Sequence, residues 1–175
     1  MRSPRFSFAD RALWTLFVSV LATACVAETP QIDNEDMTFL ERAESYRTWR
    51  RINRAPYASG LKGTINVYVS PEGADAYAGY HPDRNDDARP IPEGTVIVRE
   101  VLDASGAVAK VTMMAKGPRG YQPELGDWWF AVTDGNMVPQ FGEDTWEVGR
   151  MPSCHSCHVP HANDDFVFGV PDNAR

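Results

Sequence analysis

The residues best suited to chemistry are two cysteines and a histidine near the C-terminus, in the segment 154–158, which reads Cys-His-Ser-Cys-His. Two thiols three residues apart can add to the two vinyl groups of one porphyrin edge, and the histidine that follows is then held beside the iron as axial ligand. In a helical turn Cys154, Cys157 and His158 share one side, and Pro152 can begin such a turn. The segment therefore predicts one covalent haem c, with His158 as the metal ligand.

Three other chemistries use a cysteine pair of this kind: a thioredoxin-like dithiol, half of a zinc site and a plain disulfide. A closed zinc site needs four ligands, and although His155 and His161 lie near the pair, the chain has no second cysteine pair. A redox dithiol is expected near the start of a βαβ unit, whereas this pair follows a strand-rich region. Haem attachment fits best among the four interpretations.

The first 27 residues have the composition of a secretory signal. Basic residues precede an apolar run at 12–22, which is too short to span a membrane. Cleavage after Ala27 or after Ala24 satisfies the small-residue pattern, and the second would leave Cys25 available for a lipid tether, the less favoured outcome. We expect an exported, periplasmic protein without a transmembrane segment, since no later run approaches about 20 apolar residues.

The charge of the chain constrains its partners. The formal net charge is −7, and the leader carries three arginines against one aspartate, so the processed chain has −9. An acidic protein is a poor nucleic-acid binder, and its charge instead favours solubility or a basic soluble redox partner.

The rest of the chain predicts a mainly β (α+β) domain over residues 37–170, with an antiparallel sheet and a few helices. Apolar residues alternate over 65–70, which indicates a half-buried strand. The run 94–102 is apolar on both faces, which favours a central strand, and turn-forming residues return the chain as an antiparallel partner over 108–115. An aromatic strand is predicted over 127–133.

Helices are predicted at two places before the haem motif. A flexible polar segment at 28–36 precedes the first, where Thr38 and Glu41 have capping-box spacing. The second is a short helix over 71–80 that Ser70 would cap. The apolar face of the first helix consists of Phe39, Ala43, Tyr46 and Trp49.

Six stretches, in this order along the chain, resemble the cytochrome P-460 and cytochrome c′-beta family. The resemblance covers nearly all of the processed chain. Its specificity comes from a Gly-Thr-Val strand and a Gly-Asp-Trp strand upstream of a C-terminal haem motif. The stretches are 46–49, 67–71, 93–98, 126–129, 154–158 and 165–168.

The resemblance implies a largely antiparallel β-fold, one covalent haem and commonly a homodimer, unlike the four-helix cytochromes c′. The family includes enzymes that oxidise hydroxylamine and relatives that mainly bind nitric oxide, so an oxidoreductase and a ligand binder are both compatible with it. In the hydroxylamine-oxidising members a lysine at the end of the Gly-Thr-Val strand is cross-linked to the porphyrin.

Arg99 occupies the position of that lysine in this chain. A guanidinium stays protonated and is a poor nucleophile, which argues against the cross-link and weakens the hydroxylamine-oxidising interpretation. A shifted strand register would instead bring Lys110 to the site. Beside Ile97 and Val101, a buried Arg99 needs an anionic partner such as a haem propionate or a carboxylate, unless the strand end is at the surface.

Two functions follow from these residues. The first is a haem with an open sixth position for small nitrogen oxides, for which Tyr77, Trp128 and Phe130 are candidate pocket walls or ordinary core residues. The alternative is a six-coordinate periplasmic electron-transfer cytochrome c, which needs a second axial donor. The candidates for that donor are Met113, Met114, Met137 and His161.

Overall fold

An antiparallel β-sheet forms the body of the protein. The computed structural model describes residues 31–60, 63–84, 88–142 and 144–175. The predicted leader, including Cys25, therefore lies outside the described residues.

Seven strands make up the sheet within the described residues. They are β1 (Arg50–Arg51), β2 (Tyr57–Ala58), β3 (Thr64–Val69), β4 (Val96–Leu102), β5 (Val108–Lys116), β6 (Trp128–Asp134) and β7 (Val148–Gly149). Their order is β1-β3-β4-β5-β6-β7, and β2 also pairs with β3.

The central strand is β4, which pairs antiparallel with β3 on one side and β5 on the other. All of its residues are buried except Arg99, which is half-buried. After β4, the Oδ1 atom of Asp103 accepts hydrogen bonds from the backbone N–H groups of Ser105, at 2.8 Å, and Ala107, at 3.0 Å. This turn sends the chain back into β5, and the predicted mainly β fold with its antiparallel sheet is confirmed.

The first helix begins earlier than its sequence predicts. Helix α1 (Asn34–Ala43) is capped by Asp33, whose Oδ1 accepts a hydrogen bond of 2.8 Å from the Asp36 backbone N–H. The predicted capping box is wrong, because Thr38 lies inside the helix and donates its hydroxyl to the Asn34 carbonyl. Residues 34–36, predicted to be flexible, form the first turn of the helix. The acidic side chains of Glu35 and Asp36 lie there, near the positive end of the helix dipole, which stabilises the helix.

The second helix is shorter than the predicted range 71–80. Helix α2 (Ala74–Tyr77) has four residues. Ser70 does not cap it with its side chain, because the Ser70 hydroxyl accepts a hydrogen bond of 2.9 Å from the Val96 backbone N–H. Ser70 therefore joins the end of β3 to β4 rather than beginning a long helix.

Different segments cover the two faces of the sheet. One face carries Val96 and Val98 and packs against α1 through Leu40 and Ala43. The opposite face carries Ile97, and its core includes α2 and the C-terminal residues up to Ala174. Ala174 is buried and its carbonyl accepts a hydrogen bond from the Arg54 backbone N–H, so the folded domain continues past the predicted boundary at 170.

A buried carboxylate fixes the register of β3 against β4 on the face covered by α1. Glu100 accepts a hydrogen bond of 2.7 Å from the Tyr46 hydroxyl and one of 3.0 Å from the Asn66 side-chain amide. The Asn66 side-chain oxygen accepts a hydrogen bond from the Asn53 side-chain amide. The Asn53 side-chain oxygen in turn accepts one from the Val67 backbone N–H. Because Glu100 follows Arg99 on β4, this network also fixes the strand that carries Arg99 on its other face.

The C-terminal helix carries the haem motif. Helix α3 (Pro152–His158) begins with proline at its first turn, as predicted, and continues into a 3₁₀ helix (Val159–Asp164). No helix among the described residues is long and apolar enough to cross a membrane.

Candidate functional site

Helix α3 places the three motif side chains against the sheet. Cys154, Cys157 and His158 line one cavity of about 270 Å³, as their spacing predicts. The sheet side of this cavity is formed by residues of three neighbouring strands, among them Ile97, Arg99, Thr112, Met114 and Phe130.

A second cavity, of about 440 Å³, lies on the other side of the motif. Tyr57 and Phe168 line it, together with three residues that also line the first cavity: Arg99, Cys157 and His158. These three residues therefore stand at the junction of two largely apolar spaces.

The imidazole of His158 is held in one tautomer. Its Nδ1 lies 2.6 Å from the Phe166 carbonyl oxygen, and because a carbonyl can only accept, Nδ1 carries the proton. The ring lies between Phe130 and Phe168, with centroid distances of 5.0 Å to each. Burial lowers the pKa of His158 to about 4, so the imidazole is neutral at pH 7. A neutral imidazole with Nδ1 engaged leaves Nε2 for a metal, which is the form a ligating histidine needs.

The two cysteines of the motif differ in exposure. Cys154 is half-buried and Cys157 exposed, and both are free thiols in the described part of the chain. Burial raises the pKa of Cys154 to about 11, which is the opposite of the lowered pKa that a reactive dithiol or a zinc thiolate requires. Among the described residues, no group of three or more His, Cys, Asp or Glu is arranged to hold a metal ion.

The neighbouring histidines, His155 and His161, line neither cavity. His155 Nε2 lies 2.7 Å from the Gln122 amide nitrogen, which can only donate, so His155 is the acceptor. His161 lies beside Phe168, with ring centroids 4.2 Å apart, and 3.8 Å from Asp164. His158 is therefore the histidine of the motif that faces the cavities.

Arg99 reaches from β4 into the junction of the cavities. Its Nη2 donates to the Phe168 carbonyl at 3.4 Å, and its guanidinium carbon lies 5.2 Å from the Phe168 ring centroid. Its Nε atom is buried without a hydrogen-bond partner in the described structure. Arg99 is half-buried rather than at an exposed strand end, and the anionic partner expected for it stays a prediction.

The register of β4 and β5 is not shifted toward Lys110. Arg99 lies opposite Thr112, and Lys110 lies opposite Val101. Lys110 nevertheless lies on the same sheet face as Arg99, because its partner Val101 is two residues after Arg99 on β4. Lys110 also lines the first cavity.

Only part of the predicted aromatic wall faces the cavities. Phe130 lines the first cavity. Tyr77 and Trp128 line neither, because both are fully buried one layer away. The Tyr77 hydroxyl donates to the Phe168 carbonyl, and the Trp128 ring nitrogen donates to the Asp165 carbonyl. For these two residues the interpretation as core is the correct one.

Of the candidate second axial donors, Met113 and Met114 line the first cavity, whereas Met137 and His161 do not. Met113 packs in the core of the face covered by α1, and Met114 packs with Ile97 and Phe130 on the face of the cavities. Sequence reasoning missed several lining residues. Thr112 could have been found from the alternation of β5 with Met114, whereas Tyr57, Glu147 and Met151 come from segments without a motif of their own.

The residues present fit a haem. The cysteines and the neutral His158 line one space, and the buried, unpaired Arg99 Nε can donate to a carboxylate such as a propionate. Such a site on an antiparallel sheet defines a haem-binding cytochrome. The sequence model of the Cytochrome P460 family matches residues 43–169, and the chain belongs to that family. Among curated proteins, none is similar enough in sequence to count as a match.

Proposed function

We propose that this protein is an exported mono-haem cytochrome that binds nitric oxide or a related small nitrogen oxide at an open sixth iron position. Cys154 and Cys157 attach the haem covalently, and His158 is its axial ligand. Haem bound there supplies an iron that can hold a diatomic ligand or exchange an electron. The basic and apolar leader at 1–27 supports export to the periplasm.

The observation that carries this proposal is the set of side chains facing the first cavity. His158 is neutral, with Nδ1 engaged and Nε2 left for the iron. Outside the motif, the described lining residues with nitrogen or sulfur donors are Arg99, Lys110, Met113, Met114 and Met151.

Three of these five side chains are poor ligands for an iron in the cavity. Arg99 and Lys110 carry positive charge, which makes them weak metal ligands. Met113 belongs to the core of the opposite sheet face. An iron bound by His158 is therefore left open unless Met114 or Met151 approaches it.

The chain's own residues then bind and shelter the ligand. Ile97, Phe130 and Val132 provide an apolar wall, which excludes water and favours an uncharged diatomic over an ion. Arg99 supplies a fixed positive charge at the edge of that wall and cannot form the lysine cross-link of the hydroxylamine-oxidising relatives. Nitric oxide binding is therefore favoured over hydroxylamine oxidation.

Met114 supports a second candidate function. Like Met151, it is a thioether in the core of the cavity's sheet face, so these two are the described methionines best placed to become a sixth ligand. In that case the protein is a six-coordinate electron-transfer cytochrome. An acidic chain of this kind suits a soluble partner with a basic surface.

An absorption spectrum of the holoprotein, with and without nitric oxide and hydroxylamine, separates the two functions. We expect a high-spin, five-coordinate ferrous iron that binds nitric oxide. A low-spin, six-coordinate iron without added ligand contradicts the open site. If that low-spin iron becomes high-spin in Met114→Leu or Met151→Leu but not in Met113→Leu, the electron-transfer function is the correct one.

The homodimer common in the family is also part of this proposal. Size-exclusion chromatography with light scattering tests it directly. A mass of one chain at micromolar concentration would contradict it.

A further inference from the structure

The carbonyl that holds His158 belongs to a strained turn. Asp165 and Phe166, which follow the 3₁₀ helix (Val159–Asp164), have φ values of +51° and +60°. Two successive residues other than glycine in the left-handed region are held there only by surrounding contacts. Because the Phe166 carbonyl oxygen accepts from His158 Nδ1 at 2.6 Å, whatever fixes this turn also fixes the imidazole.

Asp165 is tied to the sheet and its surroundings at three points. Its Oδ1 lies 2.5 Å from the Lys116 ammonium nitrogen, and its Oδ2 accepts a hydrogen bond of 2.8 Å from the Ile91 backbone N–H. Its carbonyl accepts a hydrogen bond of 2.8 Å from the Trp128 ring nitrogen. The Lys116 and Asp165 side chains are only 15% and 16% exposed, so solvent screens their attraction weakly.

Two facing residues of the sheet provide these anchors. Lys116 at the end of β5 lies opposite Trp128 at the start of β6. The Lys116 ammonium nitrogen also lies 4.8 Å from the centroid of the Trp128 ring, so one residue pair holds both the carboxylate and the carbonyl of Asp165. The turn is thereby anchored to the paired strands β5 and β6.

The ring of Phe166 closes over Gly126. A Cβ atom built at Gly126 would lie 2.7 Å from that ring, so only glycine lets the ring approach this closely. Contact with Gly126 fixes the ring of Phe166, and the anchored Asp165 fixes the backbone that precedes it. The carbonyl that receives His158 is thus constrained on both sides.

We infer that Lys116 and Asp165 are positioning residues for the axial histidine, which tune the iron through the Phe166 carbonyl. This rests on the proposed role of His158 as the iron ligand. A hydrogen bond from Nδ1–H to a fixed acceptor raises the basicity of the imidazole and orients its ring. A more basic ligand stabilises ferric over ferrous iron, so the ion pair keeps the reduction potential low.

The test compares Lys116→Met, Asp165→Asn and the double variant as holoproteins. Spectroelectrochemistry gives the reduction potential, and resonance Raman spectroscopy gives the iron–histidine stretching frequency of the ferrous form. Both single variants should raise the potential and lower the frequency. The double variant should shift both no further than a single one, because the two residues act as one unit. Lys116→Arg, which keeps the ion pair, should restore the wild-type values.

Arg50→Met is the matched control. It removes the cation of the Arg50–Asp75 ion pair, whose side chains are 56% and 92% exposed and which lies away from the cavity linings. It should leave the potential and the frequency unchanged. If Asp165→Asn does not fold, the comparison of Lys116→Met with Lys116→Arg decides the question alone.

Unchanged potential in Lys116→Met, even with a lower melting temperature, would overturn this inference and make the ion pair purely structural. That result is distinct from failure of the proposed function. A six-coordinate wild-type iron would remove the open site, yet the potentials of the variants could still be compared. A wild-type spectrum that survives in His158→Ala would overturn both.

Discussion

Arg99 lies opposite Thr112 in the register of β4 and β5, and both side chains line the first cavity. The Arg99 side chain is held at the junction of the two cavities by the Phe168 carbonyl and ring. The charge and poor nucleophilicity of this guanidinium therefore affect which reaction a bound haem can perform.

The first prediction is that the wild-type protein has no bond between haem and a lysine. We expect an ordinary c-type spectrum, without the red-shifted ferrous band of the cross-linked chromophore, and slow or absent hydroxylamine oxidation. In Arg99→Lys a nucleophilic amine replaces the guanidinium, so the third bond should form and the ferrous band should move to the red. Mass spectrometry of haem peptides checks both proteins. A haem–lysine cross-link in the wild-type protein, for example at Lys110, would refute the prediction.

The second prediction concerns the loss of the Arg99 guanidinium. Arg99→Met keeps the apolar stem but removes the buried Nε donor and its charge. If that donor pairs with the haem, the holoprotein should lose about 1.5–3 kcal/mol of unfolding free energy, the usual contribution of a hydrogen bond to a charged group. Urea unfolding measures it. Equal stability of wild type and variant would indicate that Arg99 contributes only packing.

Covalent attachment predicts that acidified organic solvent does not extract haem from the wild-type protein. Cys154→Ala combined with Cys157→Ala removes both thioether bonds, so the haem of this variant should become extractable. The single Cys154→Ala variant should still retain its haem through Cys157. Haem that leaves the wild-type protein under the same conditions contradicts covalent attachment.

The axial role of His158 makes a prediction about three histidines. His158→Ala should lower haem loading and change the spin state, because this is the histidine that lines both cavities with a neutral ring. His155→Ala and His161→Ala serve as matched controls within the same segment and should change neither property. Comparable damage from all three variants would contradict the assignment.

Local patterns in the sequence were sufficient to predict the sheet and the motif. The alternation around Val67 and the run through Val98 predicted two strands, and the short turn at 103–107 accounts for the pairing of β4 with β5. The spacing of Cys154, Cys157 and His158 placed them on one side of a turn, because that depends on helix geometry alone.

Tertiary competition accounts for what the sequence could not predict. Ser70 has the residue type of an N-cap, but its hydroxyl is taken by the Val96 backbone N–H across the sheet. Tyr77 and Trp128 are aromatic and near the site, yet which layer they occupy depends on the path of residues 165–168. The Lys116–Asp165 ion pair joins residues 49 positions apart, and no local pattern signals such a contact.

The last prediction tests the buried hydrogen bonds to Glu100 on β4. Tyr46→Phe removes the hydroxyl that donates to Glu100 Oε1 at 2.7 Å, while the apolar ring stays in the core. Glu100 is 5% exposed, so its carboxylate then loses a donor that water cannot easily replace. We expect a loss of about 1–3 kcal/mol in the free energy of unfolding, measured by urea titration. In a Glu100→Gln background the same Tyr46→Phe change should cost less, because the acceptor is no longer charged, and an equal cost in both backgrounds would show that the hydrogen bond to the carboxylate is not the source of the stability.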